Sequence, residues 1–511
     1  MSERETTAGA HSLFSSQDTA ASSVQSAQGL AQRVQAAMFG AAERPAIEFQ
    51  GRWYTWGELR QVFDGLVAAL ASSGCQSGAA IAFIPRNRPS AAAALLGLLG
   101  RGSFVRMIYA FQSSSAIARD VERVRPAAVV AAEEDFTPEL RAVLESRGVA
   151  AVALGEMEAR CLPGLQTANP DADVSPVPRI ELLTSGTTGP PKRFGIGYEL
   201  VSQLLGPEQD LSSATPVLLY FPLGNISGIF STVPTLVNLQ RVVLLDRFTV
   251  PEWHDYICRY KPNFGSLPPS AVRAVLDAEV PPEDLACLRY VASGAAPLDP
   301  RVQRDFEARY GAVVLLSYGA TEFGGPVTAM TAELHGEFGQ RKFGSVGRAL
   351  PGVQLRVIDP GTGEEVNAGT PGVLEVISPR VGPDWIRTSD LVVIDEDGFL
   401  FHRGRSDGAI MRGGFKVLPE TIEHALLEHP ALAAVAVVAV PNDRLGEVPG
   451  VALELRPGFA PPPWPELEQH LRQRLPATHV PVHHRFVTAL PRTASLKVER
   501  ASVRELFTNQ E

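Results

Sequence analysis

Cysteine is scarce in this chain: Cys75, Cys161, Cys258 and Cys287 are spread over 511 positions with no CxxC pair. That sparsity excludes a disulfide framework, shows no histidine at a metal spacing, and leaves reduced structural thiols. Basic runs are also missing. The 46 Lys and Arg are outnumbered by 56 Asp and Glu, for a net charge of −10. The positive footprint behind most nonspecific nucleic-acid binding is therefore absent, although a local basic cluster can still receive an anionic cofactor. Long apolar runs are lacking as well. The longest, Ala91–Gly100 and Ala431–Val440, reach about half of the roughly 20 residues that span a bilayer. The N-terminus has no apolar core of the secretory type. The expectation is a cytoplasmic chain without a transmembrane segment.

What is present is ample apolar side chain, 45% against 20% charged, so most of the length reads as globular. A single hydrophobic core stops growing at about 250–300 residues, which predicts two or more domains. Residues 1–28 are small and polar with neither apolar period and read as a flexible leader. From Arg44 onward short apolar runs alternate with helical patterns. Pro45–Phe49 suggests a strand, and Thr55 with Glu58 marks a helix start as N-cap and capping-box partner. Strands at 79–84 and 127–132 flank helices at 90–99 and 117–124, and further strands follow at 217–221, 241–245, 289–293 and 313–316. Such alternation predicts an α/β fold with a parallel sheet. Past residue 351 the text turns β-rich, and the last hundred residues suggest a small α+β domain with helices near 419–428 and 464–474 around a strand at 433–440.

The densest chemical signal is Thr184-Ser185-Gly186-Thr187-Thr188-Gly189-Pro190-Pro191-Lys192, directly after a strand-like segment. Glycines let main-chain N–H groups approach an anion, hydroxyls donate further bonds, and Lys192 adds a point charge. This is a phosphate-binding composition, but Pro191 and Arg193 break the Walker pattern, and Gly195-Ile-Gly197 is not completed as a dinucleotide fingerprint.

Together with Ser293-Gly294-Ala295-Ala296-Pro297-Leu298, Tyr318-Gly319-Ala320-Thr321-Glu322, Thr388-Ser389-Asp390, Gly404-Arg405 and Pro491-Arg-Thr-Ala-Ser-Leu496-Lys497, the loop resembles, in order and over residues 44–505, the superfamily of adenylate-forming enzymes: acyl-CoA synthetases, nonribosomal adenylation domains and luciferases. Its acyl-CoA ligases are the nearest in pattern. The resemblance implies a large N-terminal portion (29–403) of two α/β subdomains and a β-rich one, a hinge at 404–408 turning on Asp407, and a mobile α+β domain at 409–511. It implies that the loop around Thr187 holds the β and γ phosphates, that Ser293 to Pro297 and Tyr318 to Ala320 line the adenine site, and that Thr321 touches the α-phosphate. Glu322, with Thr187, would hold Mg²⁺. Asp390 and Arg405 would take the ribose hydroxyls, for which an ionised carboxylate is suited. Lys497 would cover the reacting phosphate, where a fixed ammonium offsets growing negative charge.

The substrates implied are ATP, a small-molecule carboxylic acid of the fatty or aromatic kind, and CoA or a carrier protein, and a homodimer is an admissible assembly. An inactive nucleotide-binding protein is the remaining alternative. Asn225, Ser227, Gly228, Gly319 and Ala320 form the expected acyl pocket, while Arg412, Gly413, Gly414 and Lys416 are the candidate CoA contacts. Three departures from the family pattern stand out: Leu496 and Ser389 where glycine is usual, and Asn225 where many acyl-CoA ligases carry histidine.

Overall fold

The computed structural model describes every residue except 1–15, 41, 185–191, 406–407, 413–414, 443–444, 494–495 and 509–511. The chain forms two compact units, Met1–Arg247 and Phe248–Glu511. Among the described residues no helix is long and apolar enough to cross a membrane.

In the first unit, strands Ala80–Ile84, Ala128–Ala132 and Ala150–Leu154 are buried at every position, as strands covered on both faces must be. They lie in a sheet of seven described strands whose inner pairings are parallel. The helix Pro89–Gly100 is apolar all round and wholly buried against this sheet's core. Thr55 and Glu58 form the expected capping box at the helix Trp56–Ser72. A second sheet pairs Pro45–Phe49 with Arg52–Thr55 across Gln50 and Gly51, both at positive φ (51° and 80°), the backbone of a two-residue hairpin turn.

One segment differs from the expectation. A helix begins at Ser16, within the stretch read above as a leader, and runs to Gly40. Leu30, Val34, Ala37 and Met38 sit in the core at i, i+4 and i+8 spacing, so tertiary packing of its last turns stabilises an Ala-, Ser- and Gln-rich run that has little apolar signal of its own.

The strand Arg179–Thr184 leads to the Gly/hydroxyl loop and pairs antiparallel with Lys192–Gly197, Thr184 opposite Lys192. Its neighbour Phe104–Met107 carries the buried Arg106, which donates to Glu181 at 2.8 Å and Asp173 at 2.7 Å. A buried charge is tolerable only when paired in this way. Both loop ends are thereby tied to a rigid sheet.

The second unit opens with parallel strands Phe264–Ser266, Tyr290–Ser293 and Val313–Ala320, the last turning antiparallel to Gly325–Ala329. Next comes an antiparallel sheet of Gln354–Ile358, Gly372–Ile377, Ile386–Ile394 and Leu400–Arg405. The final part is built on the long pair Leu432–Asn442 and Gly446–Leu455, with His483–Val487 added in parallel. Apolar clusters cover both faces of this last sheet, one around Leu426, Leu453 and Leu467, the other around Val438, Val448 and Val503. An α/β core followed by a C-terminal α+β domain is the arrangement that the sequence predicts.

Candidate active site

Three side chains from two strands of the second unit converge on one carboxylate, which a third strand supplies. Asp390 lies in the strand Ile386–Ile394 opposite Arg405 in the strand Leu400–Arg405, so the cross-strand register alone makes them neighbours. Arg405 Nη1 reaches Asp390 Oδ1 at 3.5 Å, and His402 Nε2 lies 3.4 Å from the same oxygen. The Tyr318 hydroxyl donates to the other oxygen, Oδ2, in a short hydrogen bond. Asp390 is buried. Burial alone would push its pKa up, but the hydrogen bonds from His402 and Tyr318, aided by the charge of Arg405, outweigh it and hold the carboxyl below its usual range. Burial and the Asp390 charge together push the Tyr318 phenol far up, so it stays a donor. The result is an anionic acceptor already ionised and oriented, suited to sugar hydroxyls.

His402 is the residue that the sequence strings missed. It stands three residues before Arg405, and its ring lies 6.0 Å from that of Tyr318. The available signal was strand pairing: once Ile386–Ile394 and Leu400–Arg405 are read as a hairpin, His402 falls beside Asp390. Ser389 also acquires a role, since its Oγ accepts from Arg405 Nη2 at 2.5 Å. Where the family pattern has glycine, this chain has a hydroxyl that holds the arginine in place.

The other nucleotide strings line the same sheet ends. Ser293 closes the strand Tyr290–Ser293, and its Oγ is buried without a hydrogen-bond partner, a polar atom whose burial is costly unless a partner arrives. Ala295 follows at φ 67°. A Cβ on Gly319 would come within 2.4 Å of the Gly325 carbonyl, so that glycine is required by close backbone approach, while one on Gly294 would press on the Ser317 hydroxyl at 2.6 Å. Ala296 and Pro297 are exposed, and Ala320 leads into the short 3-10 turn Thr321–Phe323 that presents Glu322 to solvent.

Lys497 belongs to this same neighbourhood. Loss of hydration against the surrounding protein lowers its pKa, the Glu322 carboxylate pushes it back up, and Arg405 lowers it again. The two charges that move it are thus the proposed metal ligand and a ribose-side arginine. A turn holds Lys497 out: Leu496 N–H donates to the Thr493 carbonyl at 2.8 Å, Thr493 N–H to the Lys497 carbonyl at 2.8 Å, and Lys497 N–H to Thr493 Oγ1 at 3.2 Å. Leu496 sits at φ 62°, the left-handed conformation for which the usual glycine is suited and a leucine is strained.

The remaining candidates divide. Asn225 caps the helix Ile226–Val237 in the first unit, its Oδ1 accepting from Gly228 N–H at 2.7 Å, so its carbonyl oxygen has a structural task. Ser227 and Gly228 are in that helix's first turn, and a Cβ on Gly228 would meet the Pro222 carbonyl at 2.0 Å. Arg412 Nη1 donates to the carbonyls of Thr478 at 2.7 Å and Val480 at 2.9 Å, a tie across the small domain. Lys416 lies in the strand paired with it. Ser185, Gly186, Thr187, Thr188, Gly189, Asp407, Gly413 and Gly414 lie outside the described residues.

Comparison with known proteins identifies the family and the fold. Residues 34–383 match the AMP-binding enzyme family and residues 421–497 the AMP-binding enzyme C-terminal domain. A 4-coumarate–CoA ligase-like protein (number 9) of Oryza sativa subsp. japonica is 30% identical over 501 residues, covering 89% of this chain and 88% of its own. The fatty acid–[acyl-carrier-protein] ligase ScoC of Streptomyces coeruleorubidus is 26% identical, covering 91% and 93%. Among solved structures, the ATP-bound RpMatB–BxBclM chimera B1 superposes with a TM-score of 0.77 at 26% identity, over 93% of this chain and 99% of that one.

Proposed function

The chain belongs to the AMP-binding enzyme family, and from that premise we propose that it is an AMP-forming carboxylic acid–CoA ligase acting on an acid of the aromatic or fatty class. The observation that carries the reading is the preformed Asp390 acceptor, fixed by Tyr318, His402 and Arg405, with Lys497 under the electrical influence of Glu322 beside it. A sugar-binding carboxylate next to an acid–lysine pair fits a nucleotide whose phosphates need both a cation ligand and a mobile positive charge.

In this reading the acid's carboxylate attacks the α-phosphorus of ATP, the bond to the β-phosphate oxygen breaks, and acyl-AMP and pyrophosphate form. Lys497 faces the charge that grows on the phosphoryl oxygens. The CoA thiol then attacks the acyl carbon, and AMP leaves. Glu322 is exposed and acidic, and fits a Mg²⁺ ligand, with Thr187 as its partner by family resemblance. Bound magnesium supplies positive charge against the phosphates. The small domain turns about Asp407 between the two steps, so that Lys497 withdraws before the thiol enters.

The test is ATP–pyrophosphate exchange over a panel of aromatic and fatty acids, followed by thioester formation with free CoA. Acid-dependent exchange with CoA thioester as product is the expected outcome. Exchange without transfer to CoA would redirect the reading to a carrier-protein loader, as the ScoC relative is named, and no exchange with any acid would overturn it. The hinge has its own test: Asp407→Pro fixes φ near −65° and should impair thioester formation from preformed acyl-AMP more than single-turnover pyrophosphate release. Equal losses would count against rotation at this residue.

A further inference from the structure

The expectation that no histidine stands at a metal spacing from a cysteine overlooks one pair, His254 and Cys258, and the fold adds a third donor to it. In the second unit, the helix Val250–Tyr260 carries His254 and Cys258 four residues apart, hence on one face. The 3-10 turn Pro282–Leu285 packs beside it and supplies Asp284. His254 Nε2 lies 2.8 Å from Asp284 Oδ2. A ligand atom from each of His254, Cys258 and Asp284 lies within 4.8 Å of the other two. Around a zinc-sized cation with bonds of about 2.0–2.3 Å, tetrahedral ligand atoms stand roughly 3.3–3.8 Å apart, so contraction by about an ångström through side-chain rotation closes the set.

A plain surface ion pair accounts for His254 and Asp284 but contributes only about 0–1 kcal/mol, and it gives no reason for a thiol at the third corner. The donor set also has a chemical character: one imidazole nitrogen, one sulfur and one carboxylate oxygen suit a borderline-soft ion and are a poor match for Mg²⁺ or Ca²⁺. A bound cation of this type would displace the thiol proton, so uptake should release acid.

We propose that His254, Cys258 and Asp284 bind a divalent cation of the zinc type, with the fourth position taken by water. All three ligands precede the strand Tyr290–Ser293, whose end carries Ser293 of the nucleotide site. The ion would pin the helix to the turn that feeds this strand, a structural role separate from the Mg²⁺ that accompanies ATP.

The experiment uses the full-length untagged protein, stripped with chelator and free of nucleotide, titrated with Zn²⁺ and separately with Co²⁺. Expected are about one zinc per chain, a thiolate-to-cobalt charge-transfer band in the near ultraviolet, and a higher melting temperature with zinc than with chelator. Cys258→Ser should abolish the band, and His254→Ala should weaken zinc binding by at least the roughly 10–100-fold that losing even an outer partner of a metal ligand costs. Zinc uptake and cobalt spectra unchanged in Cys258→Ser would overturn the proposal. So would identical melting of the wild-type protein in zinc and in chelator, a comparison that needs no variant to fold.

Discussion

The Asp390 cluster and the Lys497 turn sit in the same unit and face the same nucleotide strings, but they are held in different ways. Asp390 is buried, belongs to a paired strand, and takes hydrogen bonds from Tyr318 and His402 while Arg405 is itself braced by Ser389. Lys497 keeps an exposed surface although nearby protein costs its ammonium hydration, sits on a turn closed by a few backbone bonds, and follows a leucine at φ 62°. The first is ordered without any ligand. The second lies close to Glu322 and Arg405 without a strand to hold it. A site that must run two reactions in succession needs both kinds of residue, one fixed and one movable.

The sharpest way to break this contrast is Lys497→Ala. Adenylation should fall by roughly 10²-fold or more, the scale of losing one transition-state electrostatic donor, while thioester formation from preformed acyl-AMP stays within a few-fold. Pyrophosphate exchange near the wild-type rate would remove Lys497 from catalysis.

Asp390→Ala attacks the fixed side. It removes a buried charged acceptor and leaves Tyr318 and Arg405 facing each other without it, a loss of about 1.5–3 kcal/mol per charged hydrogen bond. The KM for ATP should rise by roughly 10–100-fold, with a smaller change in kcat. A change confined to kcat would show that this carboxylate acts in the reaction itself instead of binding the nucleotide.

Glu322→Gln tests the coupling between the two regions. Because Glu322 raises the Lys497 pKa, its removal leaves dehydration and Arg405 to lower that pKa further. The ammonium is the active form, so the alkaline limb of the adenylation profile, where activity falls as the pH rises through the Lys497 pKa, should move to lower pH. The Mg²⁺ requirement should rise as well. A pH profile superimposable on wild type would mean the two groups are uncoupled.

The mildest change should be Leu496→Gly. A left-handed leucine costs about 1–2 kcal/mol, partly cancelled by the extra freedom of glycine in the unfolded chain, about 0.5–1 kcal/mol. The net should be a gain of up to about 1 kcal/mol in denaturant unfolding. Destabilisation would show that leucine's side-chain packing outweighs its backbone strain.

Of the strings read as a candidate nucleotide site, Ser293, Tyr318, Glu322, Asp390, Arg405 and Lys497 all fall in the second unit, and the structure joins Tyr318, Asp390 and Arg405 directly, while most of the Thr184–Lys192 string lies outside the described residues. The sequence did not announce His402, because that residue's meaning depends on which strand lies opposite. Ser389 looked like a mild substitution until the Arg405 hydrogen bond gave it work. The start of the Ser16–Gly40 helix was hidden for a related reason, since its anchoring residues gather at its far end. Arg412 is a candidate CoA contact on charge alone, and the carbonyls that its Nη1 meets some 65 residues along the chain lie beyond any local pattern.

That tie has a mechanical meaning. Arg412 bonds the segment Thr478–Val480, and the sheet it belongs to is packed with apolar side chains on both faces. A sandwich of this kind does not bend under small forces; it behaves as a lever arm with a stiff shaft. On the proposed rotation, a displacement of Lys497 larger than the give of its own turn would carry the whole arm with it, and changes in the shaft's interior should alter stability long before they alter the timing of the stroke.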